Sequence, residues 1–155
     1  MAHNIITGHG YTTDFMASWQ TFTDGAVKVT SGSPSITNNL ITNNHYTNGT
    51  PYAAFFGGGV CVSSGSPSIT NNLIVSNSVG SSGSGDVTGG GVWLSGSGLF
   101  ANNIVTNNSA SNTWGKTSGG GLVTNSGTTR LNNDLYSNSP STVSYTHLRA
   151  HETDT

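Results

Sequence analysis

A pair of asparagines recurs four times in this chain at a nearly constant interval, and its neighbours recur with it. The copies read Ile36-Thr37-Asn38-Asn39-Leu40-Ile41, Ile69-Thr70-Asn71-Asn72-Leu73-Ile74, Phe100-Ala101-Asn102-Asn103-Ile104-Val105 and Arg130-Leu131-Asn132-Asn133-Asp134-Leu135. Successive pairs lie 33, 31 and 30 residues apart. A further asparagine closes each copy, at Asn44, Asn77, Asn108 and Asn138. Between copies stand triple glycines, Gly57-Gly58-Gly59, Gly89-Gly90-Gly91 and Gly119-Gly120-Gly121, with Asp24-Gly25-Ala26 as a degenerate first example. A short apolar run follows each: Val27-Lys28-Val29, Val60-Cys61-Val62, Val92-Trp93-Leu94 and Leu122-Val123-Thr124.

Such a unit has few architectures open to it. Its apolar runs are short and rich in Val, Ile and Leu, they alternate with Gly, Asn, Ser and Pro corners, and no helical period crosses them. One copy cannot bury its own apolar side chains, so copies must stack like on like, each strand bonding to its counterpart roughly 4.8 Å away. Val27, Val60, Val92 and Leu122 then form one inward column, and Ile41, Ile74, Val105 and Leu135 another. Lys28, Cys61, Trp93 and Val123 form an outward column. Asparagine tolerates left-handed backbone angles at a corner, and its amide can bond along the stack, so Asn39, Asn72, Asn103 and Asn133 are expected to form a ladder. In residues 3–9, Asn4 and Ile6 take the places of Asn39 and Ile41. The expected fold is all-β, a parallel β-helix (solenoid) of about four coils over residues 1–142, with three sheets along its axis.

Composition narrows the function. Gly, Ser, Thr and Asn supply 85 of the 155 residues and only 6% are charged, which excludes a coiled coil, a helical bundle and a basic nucleic-acid binder. No apolar run approaches the ~18 residues of a membrane span, and the opening residues lack the order of a secretion leader. The single cysteine excludes a disulfide framework, and a net charge of −2 sets up no field that would name a partner.

The pattern I-T-N-N-L-I-x-x-N, followed by G-G-G-V and S-G-S-P-S-I, resembles right-handed parallel β-helix repeats of the pectate-lyase-like group and of bacterial surface and secreted proteins with that fold. The resemblance covers roughly residues 24–142. It implies a right-handed coil, an extracellular or cell-surface location, and a polysaccharide or surface glycan as partner. Enzymes of the group cluster carboxylates on neighbouring coils, with calcium and a basic residue in the lyases and paired Asp in the hydrolases. Here Asp14, Asp24, Asp86 and Asp134 fall at four different repeat positions, so no metal, cofactor or catalytic set is assigned. The expected function is a non-catalytic scaffold segment of a secreted or cell-surface bacterial protein that contacts glycans or a host surface. The alternative is a fragment of a polysaccharide lyase or glycoside hydrolase whose catalytic coils are missing. The repeats open and close inside the solenoid, so further coils are expected at both ends. The tail Val143–Thr153 looks like the translation of a transposon-library sequencing adapter, all eleven residues matching, and 143–155 is set apart from the fold.

A few side chains remain as candidates. Arg130 and Asp134 replace apolar residues in the fourth copy. They read either as a base and carboxylate on one face, or as a register change that turns Leu131 inward and pairs the charges at the surface; the second is favoured because such pairs are common and weak. The segments after Asn44, Asn77 and Asn108 are expected as loops crowding one side, carrying Tyr46, Tyr52, Phe55, Phe56, Trp114 and Lys116. Trp93, Trp114 and Tyr52 are the candidate sugar-stacking rings; packing of the loops on themselves, with Trp114 anchoring its own, is favoured. His3, His9 and His45 have no metal-ligand spacing. Cys61 reads as an outward or edge thiol.

Overall fold

The computed structural model describes residues 2–13, 20–49 and 53–140, so Tyr52 and the segment 143–155 lie outside the described residues. All regular structure among the described residues is β-strand, in pieces of two to four residues. One coil runs through Val60–Val62, Ser68–Thr70, Leu73–Val75, Ser78–Ser81 and Val87–Thr88 before the next begins at Val92–Leu94. Each strand pairs in parallel with its counterparts above and below, giving a parallel β-solenoid of about four turns.

Five sheets result. Sheet E stacks Val27–Val29, Val60–Val62, Val92–Leu94 and Leu122–Thr124. Sheet A stacks Ser35–Thr37, Ser68–Thr70, Gly98–Ala101 and Thr128–Leu131, and sheet B stacks Ile5–Thr7, Leu40–Thr42, Leu73–Val75, Ile104–Thr106 and Asp134–Tyr136. Sheet C stacks Gly10–Thr13, His45–Asn48, Ser78–Ser81 and Ser109–Asn112, and sheet D stacks Gln20–Thr23, Ala53–Phe56, Val87–Thr88 and Thr117–Ser118. The register keeps like over like: Val60 pairs with Val27 and Val92, and Ile74 with Ile41 and Val105. Ile6 pairs with Ile41, extending sheet B down to the first described coil.

The expectation of three sheets is corrected to five, for two physical reasons. A left-handed residue breaks the chain direction at Asn38, Asn71, Asn102 and Asn132 (φ 55°, 57°, 55° and 49°), separating sheet A from sheet B. Asn43, Ser76, Asn107 and Ser137 do the same between sheets B and C. The segments after Asn44, Asn77 and Asn108 are also not loops. Tyr46, Val79 and Ala110 are inward residues of sheet C, each flanked by polar residues or glycine, and the period-two alternation makes them strands.

The paired asparagines divide their labour. The first of each pair supplies the left-handed corner and is exposed; the second, buried at Asn39, Asn72 and Asn103 and half-buried at Asn133, bonds along the stack. Asn39 donates Nδ2 to Asn72 Oδ1 at 3.0 Å, Asn72 to Asn103 at 3.0 Å and Asn103 to Asn133 at 3.0 Å, and Asn4 extends the ladder below Asn39 at 3.1 Å. Each Oδ1 also accepts the backbone N–H of the asparagine below, at 2.9–3.2 Å. A second ladder, not anticipated from the sequence, joins Asn44, Asn77, Asn108 and Asn138 with amide–amide bonds of 2.8, 3.0 and 3.1 Å.

This second ladder explains the triple glycines. A Cβ on Gly59 would lie 3.0 Å from Asn77 Nδ2, one on Gly91 2.8 Å from Asn108 Cγ, and one on Gly121 2.6 Å from Asn138 Nδ2. The glycine corner and the asparagine ladder therefore press together across the coil and pinch it into two lobes. The larger lobe, bounded by sheets E, A and B, buries the valine and isoleucine columns with Phe100 and Leu122. The smaller, between sheets C and D, buries Tyr46, Ala53, Phe55, Val79, Val87 and Ala110.

Two outcomes are expected in denaturant unfolding. Asn72→Ala strands the Asn39 N–H and several carbonyls in the core and costs on the order of 3 kcal/mol, whereas Asn71→Gly at the exposed corner stays within about 0.5 kcal/mol. Gly91→Ala drives a methyl into the Gly121 carbonyl, 2.6 Å away, and costs about 1–3 kcal/mol; Gly127→Ala, whose nearest neighbour is the exposed Ser97 at 3.3 Å, changes stability by less than about 0.5 kcal/mol.

Candidate functional site

Arg130 and Asp134 do not form one constellation. Arg130 pairs in register with Phe100 and stands in the inward column of Ile36 and Ile69, whereas Asp134 pairs with Ile104 in the outward column of Leu40 and Leu73. The register change is therefore corrected: pairing continues unbroken, and Leu131 is 52% exposed rather than turned inward. Alternation sends side chains four positions apart to opposite sides here because the left-handed corner at Asn132 lies between them. The Arg130 guanidinium reaches the Thr124 hydroxyl of sheet E.

Trp93 stands in the outward column with Lys28, Cys61 and Val123, as expected. One face is taken, however. The Phe56 ring lies against it with centroids 4.6 Å apart, so Trp93 is half-buried. Lys28, at the foot of the same column, pairs with Asp24 at 2.8 Å.

Cys61 stands outward in register, as expected, yet it is fully buried. Gly57, left-handed at φ 77°, folds over it so closely that a Cβ there would lie 2.7 Å from the Cys61 Cβ. Burial pushes the thiol pKa up to about 12, against a lowering by Lys28 and a further raising by Asp24. Tyr46 is raised as well, first by burial and then by Asp24. Neither group has the lowered pKa of a nucleophile.

Trp114 departs most from expectation. It does not anchor its own loop: it is 78% exposed, in the turn 113–116 that joins sheet C to sheet D. The turn itself is held firmly. The Trp114 and Gly115 N–H groups both donate to Asn112 Oδ1 at 3.1 Å, and the Asn112 amide donates to the Gly85 carbonyl of the coil below. The Lys116 N–H donates to Asp86 Oδ1 at 3.3 Å. Asp86 and Lys116, both exposed, thus sit in equivalent turns of adjacent coils beside Trp114. The sequence reading passed over this grouping because the two charges are 30 residues apart and only the coil period brings them together.

Among the described residues no group of three His, Cys, Asp or Glu could hold a metal ion, and no helix is long and apolar enough to cross a membrane. The chain is, in class, a parallel β-solenoid carried by buried asparagine ladders. Comparisons with protein-family models, with curated proteins and with solved structures find no match.

Cys61 offers a test of this packing. The folded thiol titrates near 12 and the unfolded one near 9, so above the unfolded value the unfolded state releases a proton that the folded state keeps, and stability falls as pH rises. The expected outcome is that Cys61 resists alkylation in the native protein at neutral pH, and that Cys61→Ala flattens the loss of stability above pH 9.

Proposed function

We propose that this chain is a non-catalytic scaffold segment of a secreted or cell-surface bacterial protein, a stiff rod that contacts glycans with its outer surface. The observation that carries the reading is where the polar side chains go. The buried asparagines, Asn39, Asn72 and Asn103 in one ladder and Asn44, Asn77 and Asn108 in the other, spend their amides on bonds between coils. The described carboxylates, Asp24, Asp86 and Asp134, stand at a glycine corner, a turn and a sheet, too scattered to share a substrate. Polysaccharide cleavage needs two carboxylates roughly 5–10 Å apart, or a calcium site of several oxygens. The extracellular or surface location rests on the likeness of the repeats to pectate-lyase-like and bacterial surface solenoids.

The rod's stiffness follows from its bonding, since each complete coil among the described residues is tied to the next complete one by five strand pairings and two amide ladders. In an assay with polygalacturonate, pectin and neutral glucans, the expected result is no new reducing ends and no unsaturated products above the protein-free control. Product release by the purified chain that Asp134→Asn or Arg130→Ala abolishes would overturn the scaffold reading in favour of an enzyme.

A further inference from the structure

Resting on the glycan-contact reading, the geometry points to the turns between sheets C and D, with Trp114 as anchor and Asp86 and Lys116 as flanking polar groups, as the site that takes a neutral pyranose chain. Three observations converge there. Among the described residues Trp114 is the most exposed large hydrophobic side chain, at 78%, and it alone stands on a turn, the other exposed ones, Ile5, Leu73, Ile104, Leu131 and Tyr136, all lying in strands. It is also preorganised: Asn112 clamps the backbone of Trp114 and Gly115 and reaches down to Gly85, so no loop need be ordered when a ligand arrives. Finally, in a chain only 6% charged, an exposed aspartate and an exposed lysine belong to these same turns, the Asp86 carboxylate accepting the Lys116 backbone N–H, two positions from Trp114, across a single coil step.

Those parts match one ligand chemistry. The face of an indole takes the C–H face of a sugar ring, and desolvating so large a ring is the favourable term. Asp86 accepts from, and Lys116 donates to, the equatorial hydroxyls that project from the ring edge. The two charges cancel, so the site has no field to draw a polyanion and favours an uncharged saccharide over a uronate chain. Trp93 is the weaker anchor, because Phe56 already covers one of its faces.

Calorimetric titration of the full chain with glucose, mannose and xylose hexasaccharides, and with trigalacturonate, tests this. At least one neutral oligosaccharide is expected to bind, with Trp114→Ala weakening it about tenfold or more, an effect of about 1.4 kcal/mol, and Trp93→Ala leaving it within about twofold. Trp114→Phe should recover part of the affinity, and unchanged circular dichroism confirms that each variant folds. Equal binding by wild type and Trp114→Ala, or a loss seen only in Trp93→Ala, would overturn the site while leaving glycan contact intact. Binding of trigalacturonate alone would overturn the ligand class. Silence from every saccharide up to about 10 mM would overturn both the site and the glycan-contact reading.

Discussion

The structure depends on an amide side chain lying against a backbone that has no side chain. Asn77, Asn108 and Asn138 sit in van der Waals contact with Gly59, Gly91 and Gly121, and this contact brings opposite sides of each coil together. Buried amides are expensive unless satisfied, and these are: each Asn77-type Nδ2 donates both to the next amide and to a backbone carbonyl, Ile41 for Asn77 and Ile74 for Asn108. The polar network therefore runs through the middle of the coil with an apolar lobe on either side. Its bonds lie in a low-dielectric interior, where each is stronger than in water and each vacancy more costly. A coil out of register would break both ladders at once, so the network sets alignment as well as cohesion.

Much of this arrangement was legible in the sequence because a solenoid turns sequence period into spatial contact. The columns of Val27, Val60, Val92 and Leu122 and of Ile41, Ile74, Val105 and Leu135, and the first amide ladder, follow from spacing alone. What did not follow was anything set across the coil rather than along it. Nothing in the interval between Gly59 and Asn77 says that they touch, although their nearly constant phase from copy to copy was the available signal. The strands of sheet C went unread because their alternation is written in small residues, Ser78-Val79-Gly80 and Ser109-Ala110-Ser111, with one apolar position each. Trp114 was misplaced for a different reason: a large apolar ring is ordinarily buried, and its exposure depends on a turn geometry set by Asn112.

The distribution of charge complements that of the amides. Asp24 and Lys28 neutralise each other at the foot of sheet E, the Asp86 carboxylate accepts the Lys116 backbone N–H of the following coil, and Arg130 reaches a threonine of the preceding strand. With so little charge left over, the surface offers chiefly hydroxyls, amides and a few rings, a surface suited to contacts that short-range fit rather than long-range attraction decides.

The smaller lobe has one more consequence. Its filling dwindles from Tyr46 and Phe55 in one coil, to Val79 and Val87 in the next, to Ala110 in the third, and the sheet D strands shorten from four residues to two. The smaller lobe therefore narrows along the described coils, and the coils are not interchangeable: one set in another's place would leave a void or a clash in this lobe even with both ladders matched.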